Sequence, residues 1–152
     1  MAELRTELLF EINVNLEPPQ VVGPTPNGDR RIRLISGGSF AGPRLRGEVL
    51  PGGGDWLLLR PDGARLLDVR LALRTEEGHL IYVISRGIMD MSPEIYQRIG
   101  AGEEIDPSQY YFRTAPLFET AAAELDWLNR VVAVTVGRLT TKTVVQTVYA
   151  VL

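Results

Sequence analysis

From residue 8 to residue 16 the chain alternates strictly. Leu8, Phe10, Ile12, Val14 and Leu16 fall on one side, Leu9, Glu11, Asn13 and Asn15 on the other, the period of a half-buried strand. Pro18, Pro19, Gly23, Pro24, Pro26 and Gly28 then predict a loop. Alternation resumes over 30–36, where Ile32 and Leu34 oppose Arg31, Arg33 and Ile35, and 45–50 reads as a short strand. Residues 56–59 and 64–74 flank Arg60-Pro61-Asp62-Gly63, a tight-turn sequence. A second short turn at 75–78 leads into 78–87. Three strands in succession with such short links require antiparallel pairing.

One helix signal stands out. Ser92 suits a cap, Pro93 the first helical position, Glu94 the first turn and Gly100 the stop, about two turns in all. Beyond it, 110–115 predicts a strand, 116–128 a turn or short helix around the alanines at 121–123, and 129–139 and 143–152 two further strands. Eight or nine short strands against one short helix give an all-β fold. No strand carries the marks of a protected edge, so the expectation is a closed antiparallel β-barrel of about eight strands, forming a single domain over 1–152. In the last pair both faces are apolar. Val132, Val134 and Val136 oppose Val131 and Ala133, while Val144 and Val148 oppose Val145, Tyr149 and Val151. With no long helix to cover the outer face, a homo-oligomer is expected to bury it.

Composition narrows the chemistry. A net charge of -3 gives no broad attraction to nucleic acid or an anionic membrane, and the clusters Arg30, Arg31, Arg33 and Arg44, Arg46 read as a solvated strand face. The absence of cysteine excludes disulfides, thiolate metal sites and a Cys nucleophile. The single His79 lies in a turn sequence, which argues against a Ser-His-Asp hydrolase. There is no metal-ligand spacing and no phosphate loop, since Gly52-Gly53-Gly54 leads to Asp55-Trp56 and not into a helix. No cofactor and no metal are expected. Neither a membrane-spanning run nor a signal-peptide pattern is seen, so the expected location is cytoplasmic.

Candidate chemistry concentrates in two places. The stretch from Gly37 to Trp56 crowds glycine and proline around Phe40, Asp55 and Trp56, more glycine than a regular element tolerates. The second set is Tyr111, Arg113 and Glu119, with Glu119 just past a corner at Pro116, followed by Trp127 and Asn129. Arg70 in mid-strand shares a face with Asp68, and an inward guanidinium there would hold a carboxylate or an enolate. The expected site therefore has Asp55, Glu119 and Arg113 as catalytic groups. Trp56, Arg70, Tyr82, Phe40, Trp127 and Asn129 would contact the ligand, a small organic molecule in the barrel. A purely structural role, in which Arg113 and Glu119 pair to pin a corner, stands beside this reading.

The combination Gly-Gly-Ser-Phe-Ala-Gly-Pro-Arg-Leu-Arg-Gly, Leu-Pro-Gly-Gly-Gly-Asp-Trp, Tyr-Phe-Arg-Thr-Ala-Pro-Leu-Phe-Glu-Thr and Trp-Leu-Asn-Arg resembles the domain of unknown function 3237 family, from about Leu8 to Leu152. The resemblance implies a barrel similar to those of allene oxide cyclase and the dirigent proteins, often oligomeric, around an apolar cavity. It implies no particular activity. Two functions stay open, a module that binds an apolar or aromatic molecule and a cofactor-free lyase, cyclase or isomerase working through carboxylates. A carboxylate raised in pKa beside a cavity favours the enzyme, and one neutralised by a close arginine favours binding alone.

Overall fold

The alternation at 8–16 becomes β1 (Thr6–Leu16), whose inward Phe10, Ile12 and Val14 are buried. In this computed structural model, which describes residues 2–152, nine further strands join it: β2 (Gln20–Thr25), β3 (Gly28–Ala41), β4 (Arg46–Val49), β5 (Gly54–Leu59), β6 (Arg65–Thr75), β7 (Leu80–Asp90), β8 (Tyr111–Glu119), β9 (Val132–Leu139) and β10 (Thr143–Val151). One helix, α1 (Pro93–Gly100), follows β7, and Ser92 caps it by accepting the Ile95 N–H at 3.2 Å. Short 3₁₀ segments occupy Pro107–Gln109 and Ala123–Arg130. None of the described helices is long and apolar enough to cross a membrane.

All the strands join one antiparallel sheet in the order β8-β7-β6-β4-β3-β1-β10-β9. β4 and β5 share the place between β3 and β6, one pairing with each half of those long strands. The region from 18 to 28, expected to be loop, contains β2, which folds back on the start of β3. The glycine-rich stretch from Gly37 to Ala41 is likewise regular, the far half of β3. Its glycines permit close crossing of strands. A Cβ on Gly38 would lie 2.0 Å from the Asn13 carbonyl oxygen, and one on Gly42 would lie 1.9 Å from that of Leu9.

Pro116 is not a corner. It sits inside β8 opposite Ser85 of β7, and its place explains how the sheet ends. The Thr114 N–H points away from β7 and donates to Thr135 Oγ1 of β9 at 3.1 Å, and the two hydroxyls lie 2.7 Å apart. N–H groups two residues apart along a strand point the same way, so the donor that Pro116 lacks would also have faced β9. Among the described residues no backbone ladder joins β8 to β9. Side chains bridge them: Thr114 with Thr135, the Phe112 ring against Gly137, and Tyr110 Oη accepting the Leu139 N–H at 3.1 Å. These pairs step by two residues in opposite directions, an antiparallel register.

The interior is filled. Phe10 packs edge-on against Phe40 and Phe118, with ring centroids 5.3 and 6.1 Å apart, amid Leu73, Ile81, Leu128 and Ala133. Each such aromatic contributes about 1.5–3 kcal/mol of burial. A second cluster, Leu57, Leu67, Met89, Met91, Ile99, Ile105, Tyr110 and Phe112, lies under α1 at one end. The void left in the core is about 30 Å³, bordered by Ser85, Thr135 and Gln146, about the volume of one water. The expected central cavity for a small organic molecule is therefore not found in the aromatic core among the described residues, and Phe40 is packed core, 2% exposed.

Candidate functional site

Alternation places the site residues once the true inward parity is known. On β3 it is Arg31, Arg33 and buried Ile35 that face in, while Ile32 and Leu34 face out, the reverse of a solvated arginine face. On β5 Asp55 and Leu57 face in, and on β6 Arg65 and Leu67. Asp55 stands directly opposite Arg33 on one side and Val69 on the other.

The β5–β6 ladder pairs Gly54 with Arg70 and Asp55 with Val69, then lapses until Leu58 meets Leu66. In that gap Asp55 Oδ1 accepts the Asp68 N–H at 3.0 Å, a side chain taking the place of a backbone partner. The strands part there, and a small, partly open chamber of about 50 Å³ lies beside the carboxylate. Arg31, Arg33, Arg65 and Tyr96 of α1 line it together with apolar Leu57, Leu67, Met89 and Val144.

Burial pushes the Asp55 carboxyl up from 3.8 to about 6. The Asp68 N–H and the charge of Arg33 pull it part of the way back, and the Asp68 carboxylate adds to the rise. Arg33 does not neutralise it, for its guanidinium turns to the Glu17 carbonyl, at 3.3 Å from Nε and 3.2 Å from Nη2. None of the ion pairs among the described residues includes Asp55. Arg31 reaches Asp29 Oδ2 through Nη2 at 3.2 Å but leaves its buried Nε without a partner.

Arg65 lies over the Tyr96 ring, its Cζ 3.8 Å from the ring centroid. Burial holds its guanidinium below the ordinary value, and repulsion from Arg31 adds to that. These two side chains also border a second, open groove of about 750 Å³, along with Leu59, Pro61, Asp90 and Pro93. The Arg65–Tyr96 stack is thus the partition between groove and chamber. Chemically, the chamber offers a carboxylate able to take or give a proton near neutral pH, beside guanidinium groups that stabilise an anion.

The other residues expected at this site lie elsewhere. Trp56 faces out and is half-buried, its carbonyl accepting Arg30 Nη1 at 2.7 Å. Arg70 is exposed on the outer face, where it donates to Tyr82 Oη at 3.0 Å, so it is not a lumen guanidinium. Asp68 meets Arg86 across the strands, 3.5 Å from its Nε, and not Arg70. Arg113 also faces out, donating to the Phe112 carbonyl at 2.8 Å beside the Tyr111 ring, and Glu119 is exposed at the end of β8. No Arg113–Glu119 pair forms among the described residues, so neither the shared site nor the pinned corner is present. Trp127 packs on the aromatic core under Arg44, whose Cζ is 3.8 Å from its ring centroid, and does not line the chamber. Asn129 brackets the Thr120 backbone there, accepting its N–H at 2.8 Å and donating to its carbonyl at 3.0 Å. Of the expected set, Asp55 alone faces the chamber.

A model of the family described as "Protein of unknown function (DUF3237)" matches residues 4–151. A UPF0311 protein of Clostridium acetobutylicum is 36% identical over 127 residues, covering 83% of this chain and 80% of that protein. The crystal structure of a conserved protein of unknown function from Rhodopseudomonas palustris superposes with a TM-score of 0.93 at 32% identity, covering 100% of both chains. That of a β-barrel-like protein from Acinetobacter baumannii superposes with a TM-score of 0.87 at 34% identity, covering 100% of this chain and 98% of the other.

Proposed function

The chain belongs to the DUF3237 family, and from that starting point we propose that it is a cofactor-free acid–base catalyst acting on a small organic molecule at the α1-covered end of a side-chain-closed barrel. Asp55 is the proton-transferring group. Arg31, Arg33 and Arg65 stabilise the oxyanion or enolate that forms when a proton leaves a carbon acid. Isomerisation, cyclisation and elimination all begin with that step. The observation carrying this reading is a half-buried carboxylate, pushed up to about 6 by its burial and unpaired by arginine, in a chamber lined by arginines.

The matching experiment follows hydrogen–deuterium exchange at carbon in D2O, by NMR, over a panel of ketones and 1,3-dicarbonyl compounds. The native protein should speed exchange of at least one member, and Asp55→Asn should lose about 10²–10⁴ of that rate while keeping its fold. No exchange on any member, or equal rates in both proteins, contradicts the assignment and leaves a binding module.

Self-association accompanies this reading. Ile88, Tyr111, Leu117, Val132, Val134 and Val136 stand exposed on the outer face of β7, β8 and β9, an apolar strip that crosses the ladderless seam. A two-fold copy laid on the same strip would bury it in an isologous contact. Sedimentation should then show a dimer or higher species that Val134→Lys dissociates. A native monomer at micromolar concentration contradicts it.

A further inference from the structure

Arg65 has neither a hydrogen bond nor an ion pair among the described residues, although it carries five N–H donors and sits half-buried between two cavities. Its one strong contact is the face of Tyr96. Arg31, a chamber neighbour, has a buried Nε without a partner. Arg31 keeps Asp29 as the partner of its Nη2, so Arg65 is the guanidinium without an acceptor, and its planar fork, beside the spare N–H of Arg31, matches a carboxylate from outside. The volumes agree with a ligand that is charged at one end. About 50 Å³ is close to a carboxylate group, while the groove of about 750 Å³ has room for the body of a small molecule. In the groove Asp62 is already paired with Arg60 at 2.5 Å, and Asp90 on its wall disfavours a second negative group on the ligand.

We propose that the substrate is a monocarboxylate that enters by the groove and is held by Arg65 and Arg31, the carboxylate replacing the Tyr96 ring as the partner of Arg65. The stack is a resting contact. A two-pronged charge-assisted pair is stronger than a cation–π contact at a half-exposed site, so an arriving carboxylate displaces the ring. Tyr96 is carried by a helix of eight residues joined to the barrel by loops on both sides, so its ring can withdraw without unpairing a strand. The inference rests on the acid–base reading for the location of the site, and it adds the charge of what binds there.

Benzoate and its neutral isostere benzamide are the probes. The ¹⁵N-labelled full chain is titrated at pH 7.5 while the arginine Nε–Hε resonances are followed. Benzoate should give saturable shifts at Arg65 and Arg31, and benzamide should not. Arg65→Gln should weaken benzoate at least tenfold, and Arg65→Lys, which keeps the charge and loses the fork, should weaken it several-fold and still prefer benzoate to benzamide. Asp55→Asn should bind benzoate as well as or better than the native chain. The native chain separates the two ideas, since benzoate bound by a native protein that exchanges no carbon-bound hydrogen on any member of the panel removes the catalyst and keeps the anion site. Absence of a saturable shift, equal binding of the two probes, or native affinity in Arg65→Gln overturns the proposal.

Discussion

Asp55 Oδ1 accepts the Asp68 N–H at 3.0 Å in the stretch where β5 and β6 stop pairing. One side chain thereby does two things. It satisfies a donor that the parted strands leave open, and it sets a carboxylate against the chamber. Both follow from its inward parity on β5, five residues before the tight turn that begins at Arg60 and leads into β6.

Asp55 makes the fold sensitive to pH in a direction that can be worked out. Its folded pKa, about 6, lies above the ordinary 3.8. Between those values the folded chain keeps a proton that the unfolded chain has lost, so stability falls as pH rises through that window and stays lower above it. The shift corresponds to about 3 kcal/mol, at about 1.4 kcal/mol per pKa unit. Asp55→Asn removes the buried charge and keeps the oxygen that accepts from Asp68. Urea unfolding should show the variant and native chains alike near pH 4, with the variant more stable by up to about 3 kcal/mol at pH 7. A difference that does not change with pH contradicts the shift.

Glycine substitutions should split by what a new Cβ meets. At Gly42 it would lie 1.9 Å from the Leu9 carbonyl oxygen, so Gly42→Ala forces β1 and β3 apart and should cost about 1–3 kcal/mol or more. At Gly100, the last residue of α1, nothing lies within 4 Å, and Gly100→Ala should add about 0.5–1 kcal/mol through lower chain entropy. Thermal midpoints of the two variants should move in opposite directions.

The seam depends on hydroxyls where a sheet ordinarily uses backbone. Thr135→Val keeps the shape and removes the acceptor of the buried Thr114 N–H. The expected cost is about 1–3 kcal/mol, with faster amide exchange at Thr114 than at the β7–β8 ladder. Unchanged exchange at Thr114 means the two strands pair by backbone in solution.

Ser85 Oγ is buried without a partner beside the void of about 30 Å³, near Thr135 and Gln146. That volume and that polarity suit a single water. A crystal structure should show one there bonded to Ser85 Oγ, and Ser85→Ala should lose it with little change in stability, because donor and cost leave together. An empty void around the native Ser85 contradicts this.

Much of the architecture was legible in the chain. Strict alternation gave β1, the turn at Arg60–Gly63 gave the β5–β6 link, and Ser92-Pro93 with Gly100 gave α1 at its true bounds. Glycine misled, because composition cannot tell a bend from a strand crossed closely by another, which is the role of Gly38 and Gly42. Pro116 misled for a related reason, since proline is tolerated in a strand wherever the missing donor faces a gap. The site was half legible. Asp55 stood out, but Arg31, Arg33, Arg65 and Tyr96 did not, because an inward arginine and a solvated one alternate identically along a strand. The signal available was parity with Ile35, which is buried and fixes the inward side of β3. Arg113, Glu119 and Trp127 are near in sequence, but Arg113 and Glu119 stand on the outer face of β8 while Trp127, on the 3₁₀ segment that follows, packs against the core.

The most direct test is the ¹³C resonance of the Asp55 carboxyl followed against pH in the native chain. The midpoint should fall near 6, and it should rise further in Arg33→Gln, where the opposing positive charge is gone. A midpoint at or below about 4, the ordinary carboxylate range, would show an ion-paired or solvated group and contradict Asp55 as the proton-transferring residue.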